Sequence, residues 1–255
     1  MSVPPAWLAG RFECFEQPSA LSGRVAELLH QELNNGLRRP LGLATGRTME
    51  PVYGALVARL LALPPDQLQA VRQRWRSFNL DEYVGLGPAD PGSFAAEMAC
   101  RLVTPLNLEP ERLQLPDGLA ADPAAEARRY AGAVAAAGGI GLQLLGLGSN
   151  GHVGFNEPPC GAEAPSRSLH LSAATRRQNA AAFGEDPGLV PAGAITLGLE
   201  QILGAERILL VVSGTTKAGI LARLLSEPPA PSLPASWLQG HPGLRLLVDR
   251  AALGG

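Results

Sequence analysis

Residues 144–158, LLGLGSNGHVGFNEP, place an asparagine, a histidine and a glutamate around a turn that carries four glycines. His152 is the side chain there whose ordinary proton affinity lies near neutral pH, so it can accept and return a proton during a reaction. That role needs the second ring nitrogen held in place, and Asn150 and Glu157 are close enough in sequence to do it. Gly146, Gly148, Gly151 and Gly154 allow tight backbone conformations beside a ligand. A turn that only reversed the chain would need none of these polar groups.

Three other clusters follow strand-like segments. In FNLDEYVGL, Asp81 and Glu82 come directly after an apolar run. They are either solvated acids or a carboxylate base at the edge of a sheet. In LATGRTMEP, Thr45, Gly46, Arg47 and Thr48 form a turn into a helix, where free N–H groups and the helix dipole suit a phosphate. An ordinary turn capped by Thr48 has the same outline, and Arg47 tips the reading toward an anion. In SGTTKAGIL, Lys217 is the single lysine beside 20 arginines. A cation at a helix start is unfavourable unless an anion lies between it and the dipole. Two anion turns, a carboxylate and a histidine–glutamate pair suggest proton transfer on a phosphorylated small molecule. GLGSNG lacks the GxGxxG spacing of a dinucleotide site, and no metal-ligand spacing appears, so neither cofactor nor metal is expected.

These residues must be positioned by alternating strands and helices. Strands are expected near RFECFE, over PLGLAT, over WRSFNLDEY as one segment, over IGLQLLGLG, over RILLVVSG and over GLRLLVD. Helical spacing covers 19–35, 50–63, PADPGSFAAEMACRL, DPAAEARRYAGAVAAAGG and TKAGILARLL, with Gly138 and Gly139 as a stop. The pattern predicts an α/β fold, a mostly parallel sheet with helices on both faces. Ligands in such folds bind beyond the carboxyl ends of the strands, where all four clusters fall.

The chain has 255 residues, enough for one large α/β domain, and 46% hydrophobic against 17% charged residues marks it as globular. With 21 basic and 23 acidic residues there is no field for nucleic acid or an anionic membrane. The expected partners are a small molecule or copies of the chain, with monomer and homo-oligomer both open. Cys14, Cys100 and Cys160 are scattered, and MSVPPAWLAGRFECFEQ has neither a basic start nor an apolar leader core. The expectation is a soluble cytoplasmic protein in a reducing compartment.

LGLATGRT, FNLDEYVGL, LGLGSNGHVGFNEP, AITLGLEQILGAERILLVVSGTTKAGIL and LPASWLQGHP together resemble the glucosamine-6-phosphate deaminase (isomerase) family, in that family's order over about residues 40–250. The resemblance implies a Rossmann-like doubly wound fold, a single domain over 1–255. It implies conversion of glucosamine 6-phosphate and water to fructose 6-phosphate and ammonia, without a cofactor. By the same resemblance Asp81 is the base moving a proton between C2 and C1 through an enolamine. His152, with Glu157 and Asn150, opens the sugar ring. Thr45 to Thr48, Gly151 and Lys217 hold the substrate. The Pro-, Gly- and Ala-rich PPCGAEAPSRS is expected to belong to a movable lid over about 158–184.

Three departures stand out, the first of them shared with the family's shorter bacterial members. Asn150 replaces the aspartate of regulated members. Ala181, in TRRQNAAAF, stands where the family often has a phosphate-binding arginine, for which Arg47, Arg176 or Arg177 are the available substitutes. The basic pair of the allosteric site is not evident around APSRSLHLS, so activation by an amino-sugar phosphate is not expected. The competing readings are a 6-phosphogluconolactonase, which lacks the FNEP glutamate, a galactosamine-6-phosphate deaminase with the same machinery, and a sugar-phosphate sensor. A sensor of the transcription-regulator kind needs a helix-turn-helix before a sheet that here begins near residue 11.

Overall fold

Strands that are apolar at nearly every position must be covered on both sides, because successive side chains point to opposite faces. In the computed structural model, which describes residues 5–254, Leu142 to Leu145 and Ile208 to Val212 are all buried. They belong to a seven-stranded sheet in which every pairing is parallel. The elements in chain order are β1 (Phe12–Phe15), α1 (Pro18–Asn34), β2 (Leu41–Leu43), α2 (Glu50–Leu61), α3 (Pro65–Arg74), β3 (Ser77–Asn79), β4 (Asp81–Tyr83), α4 (Phe94–Met98), α5 (Thr104–Leu106), β5 (Leu113–Gln114), α6 (Pro123–Ala136), β6 (Leu142–Gly146), β7 (Arg167–His170), α7 (Ala173–Asn179), β8 (Gly193–Thr196), α8 (Leu199–Leu203), β9 (Arg207–Val212), α9 (Ala218–Ser226) and β10 (Leu244–Asp249). The leader-free reading of the N-terminus rests in part on residues 1–4, outside the described residues. No helix among the described residues is long and apolar enough to cross a membrane.

The strand order is β1-β10-β9-β6-β2-β3-β5. The chain builds outward through β2, β3 and β5, then returns to lay β6 beside β2 and builds the other way through β9 and β10. The reversal opens a crevice between the carboxyl ends of β2 and β6, the place where doubly wound folds bind ligands. Local chemistry sets several boundaries. Asp122 caps α6 by accepting from the Ala124 and Ala125 amides at 2.9 and 3.0 Å, and the helix ends just before Gly138 and Gly139. Ser93 caps α4 through the Ala96 amide, and a π-helical turn over Ala99–Val103 joins α4 to α5.

One expectation is corrected. WRSFNLDEY is not a single strand but two, in two sheets. β3 ends at Asn79 in the parallel sheet, and β4 starts at Asp81 in a separate antiparallel sheet of order β4-β8-β7. Leu80 is the joint. Its amide donates to the Leu43 carbonyl of β2, and its carbonyl accepts from Leu197 just beyond β8. A residue bonded to both sheets ends one ladder and begins the other. The second sheet has its own small core of Tyr83, Phe155, Leu171, Ala180, Val190 and Ala194, apart from the main core around the parallel sheet.

Candidate active site

The turn after β6 folds back so that the His152 ring lies on the Gly148 backbone. A Cβ at position 148 would come within 2.3 Å of that ring, which explains the glycine. Asn150 Oδ1 accepts the His152 amide at 3.2 Å and sits 2.6 Å from His152 Nδ1. A carbonyl oxygen can only accept, so Nδ1 carries the proton and Nε2 keeps its lone pair. Burial pulls the His152 pKa down to about 4, opposed by Glu157 and assisted by Lys217, so the ring is neutral at physiological pH. Glu157 takes the opposite course. Burial works against its charge, yet hydrogen bonds from Ser172 and Thr175 and the facing His152 hold it below the usual glutamate range.

The two carboxylates at the start of β4 are differently placed. Glu82 is buried but satisfied by the amides of Tyr83, Phe94 and Ala95 at 2.8, 3.0 and 2.8 Å. It anchors the start of α4. Asp81 pairs in register with Thr196 of β8 and lies against the Gly-His turn, so that a Cβ at Gly154 would stand 3.5 Å from Asp81 Oδ2. Burial raises its pKa well above the ordinary aspartate value, Glu82 and Glu97 raise it further, and the Phe155 amide partly offsets them. The result is a carboxyl group that is poorly disposed to stay ionised, set against the turn that carries His152.

The two anion turns converge from β2 and β9, the strands on either side of β6. Neither α2 nor α9 has a side-chain cap on its N-terminus, so Thr48 does not fill the capping role; the Ala218 amide at the start of α9 donates instead to the Thr215 carbonyl. Gly46 and Gly214 take φ of +103° and +92°, which turns the chain sharply at each strand end. Lys217 is half-buried, and both burial and the neighbouring Arg47 lower its pKa, so two cations share one place. Thr45, Gly46, Arg47, Thr48, Asn150, Gly151, His152 and Lys217 therefore all stand at the carboxyl ends of three adjacent strands, with Asp81 and Glu157 against them. Ala181 is exposed in a 3-10 turn after α7. Arg176 donates to the Gly188 carbonyl and Arg177 is exposed, whereas Arg47 stands beside Lys217.

Several residues at the site were not singled out by sequence. Asp249, the last residue of β10, accepts from Ser213 Oγ at 2.5 Å and from the amides of Gly214 and Ala252, pinning the turn that leads to Lys217. An acid ending an apolar strand was the available signal. Glu97 Oε1 lies 3.4 Å from the Gly46 amide, a half-buried carboxylate inside an anion turn, and burial raises its pKa. Position 97 is far from 46 in the chain, and nothing local announces that contact. Ser172, Thr175, Gln178 and Asn179 also reach the site, at a helical spacing that was visible.

The family described as glucosamine-6-phosphate isomerases/6-phosphogluconolactonase matches residues 16–246. A protein of Rhodopirellula baltica named glucosamine-6-phosphate deaminase is 41% identical over 231 residues, 91% of this chain and 90% of its own length. A Streptomyces coelicolor protein of the same name is 39% identical over 92% of this chain and 89% of its own. A solved structure described as a monomeric glucosamine-6-phosphate deaminase superposes with a TM-score of 0.89 at 36% identity, covering 96% of this chain and 99% of that one. A 6-phosphogluconolactonase from Trypanosoma cruzi superposes at 0.74 with 18% identity over 96% of each chain, a likeness of fold.

Proposed function

Because the chain belongs to the glucosamine-6-phosphate isomerase/6-phosphogluconolactonase family, with its curated relatives on the deaminase side, we propose that it isomerises and deaminates glucosamine 6-phosphate, yielding fructose 6-phosphate and ammonia. The phosphate lies between the β2–α2 and β9–α9 turns, facing Lys217 and Arg47. Binding there, remote from the reacting carbons, orients the sugar toward Asp81 and His152. Arg47 stands in for the arginine absent at Ala181.

His152 opens the ring. Its Nε2 lone pair takes the proton of the O1 hydroxyl and returns a proton to the ring oxygen, while Asn150 holds Nδ1–H. The imidazolium formed between those two transfers is stabilised by Glu157. Asp81 then removes the C2 proton and delivers it to C1 through an enolamine. The resulting C2 imine adds water and expels ammonia. No step requires a cofactor.

The observation that carries this reading is Asp81, buried, with its charge disfavoured, and packed against the turn that holds His152. A carboxyl group with a raised pKa is a better match for removing a carbon-bound proton and giving it back. Following ammonia and fructose 6-phosphate together should show equal release by the wild-type protein. In Asp81→Asn the rate should fall by about 10²–10⁴-fold, the span usual for a positioned acid–base group. Wild-type protein that ignores glucosamine 6-phosphate but consumes galactosamine 6-phosphate or 6-phosphogluconolactone would replace the substrate and keep the fold.

A further inference from the structure

α7 is two turns long, and one of its faces touches every element that carries a proposed reacting group. Ser172, its N-cap, donates its amide to Glu157 Oε2 at 2.9 Å and its hydroxyl to Glu157 Oε1 at 2.5 Å. Thr175, 1% exposed, donates its hydroxyl to the same Oε1. Gln178 Oε1 accepts the Ser149 amide, in the turn of His152, at 3.0 Å. Asn179 Nδ2 donates to the Tyr83 hydroxyl at 2.8 Å, two residues from Asp81 on β4. Positions 172, 175, 178 and 179 fall on one side of a helix by their spacing.

We infer that this face of α7 positions the reacting side chains, with the Ser172 and Thr175 hydroxyls fixing the Glu157 carboxylate opposite His152 and Gln178 and Asn179 locking the turns of β6 and β4 to the same helix. The inference rests on the reading of Glu157 and His152 given above. Helix capping alone does not explain the geometry. Ser172 Oγ already caps α7 by accepting the Thr175 amide at 3.2 Å, so the two hydroxyl donations to Glu157 are additional. The helix is itself held from the other end. Phe183, just after it, packs edge-on against Tyr83 with ring centroids 5.6 Å apart, and Tyr83 in turn packs at a tilt against Phe94 and Phe155. A carboxylate with two hydroxyl donors and an amide donor on fixed backbone has little rotamer freedom, and its ionised form is favoured.

The other titratable groups around Glu157 are few. His152 faces it from the β6 turn, and Lys217 acts on His152 from the β9 side. Arg167 and His170 of β7 line the same surface pocket of about 290 Å³, but the Arg167 guanidinium is directed to Asn156 Oδ1 at 2.9 Å and to Cys160 Sγ. Removing a hydroxyl donor should therefore act on Glu157 without an obvious substitute.

The test uses Thr175→Val, which keeps the size of the buried side chain and deletes its hydroxyl, against Thr175→Ser, which keeps the hydroxyl. Carbon-13 NMR titration of the Glu157 carboxyl in the ligand-free protein should show a rise of about half a unit or more in Thr175→Val, equivalent to about 0.7 kcal/mol, and none in Thr175→Ser. In turnover, Thr175→Val should lose about tenfold or more in kcat with KM changed less than about threefold, as expected when a group acting in the transition state is mispositioned. Thr175→Ser should restore both. A folded Thr175→Val with the wild-type Glu157 titration overturns the inference, and Ser172→Ala supplies the same reading if Thr175→Val does not fold. Wild-type protein without activity on glucosamine 6-phosphate would instead defeat the functional reading, while the titration still decides the role of α7.

Discussion

Glu82 gives its carboxylate to three backbone amides, while Asp81, one residue earlier and on the opposite face of β4, turns toward the Gly-His turn. The alternation of a strand separates a structural acid from a chemical one. A second residue-scale contrast lies in Asn150, which can orient the imidazole but brings no charge to it. Asn150→Asp places a carboxylate 2.6 Å from Nδ1 and should raise the His152 pKa from its value of about 4. The neutral base form is lost below that pKa, so the acidic limb of kcat/KM should shift upward by about one unit. A pH profile of the variant that overlays the wild type would show that His152 does not set that limb.

At the scale of elements, the site is a set of strand-end turns held by residues from neighbouring strands. The turn from β9 into α9 depends on Asp249 at the end of β10, which binds Ser213, Gly214 and Ala252 at once. Asp249→Ala leaves these donors without their partner, at a cost of about 1–3 kcal/mol in stability. It also loosens the backbone that carries Lys217. The expected outcome is a rise of about tenfold in KM for the sugar phosphate with a smaller change in kcat, since the phosphate is bound alike in ground and transition states. A variant that loses kcat and keeps KM would place Asp249 nearer the chemistry than the phosphate.

At the scale of the whole molecule, the described residues form two hydrophobic clusters, the large one around the parallel sheet and a small aromatic one under the antiparallel sheet, with the site where they meet. Substitutions in the first should change stability and those in the second should change turnover. Leu29 of α1 is fully buried in the main core, and Leu29→Ala should cost about 2–5 kcal/mol. For a chain of this size that corresponds to a fall in Tm of about 2–4 °C per kcal/mol. Below the transition kcat/KM should stay within about twofold, as expected for distant, uncoupled sites. A large loss of activity in the folded variant would mean that the two clusters are coupled through the sheet.

The chain alone determined what depends on near neighbours. Asn150 and His152 are two residues apart, so their contact follows from the turn. The Asp122 cap and the Gly138–Gly139 stop of α6 are equally local, and the buried runs of β6 and β9 required a sheet covered on both faces. The strand-end position of Lys217 followed from the β9 run, and that of Thr45 to Thr48 from the apolar run of β2. Tertiary structure alone decided the rest. The break at Leu80 arises because Leu43 and Leu197 offer partners to the same residue from two sheets, and neither partner is visible in the strand-like run FNLDEY. Glu97 reaches Gly46 only because α4 packs against the β2 turn, and α7 reaches Glu157, Ser149 and Tyr83 only because the aromatic cluster holds its far end. Contacts across few residues are set by chain connectivity, whereas contacts across many depend on how completed elements pack.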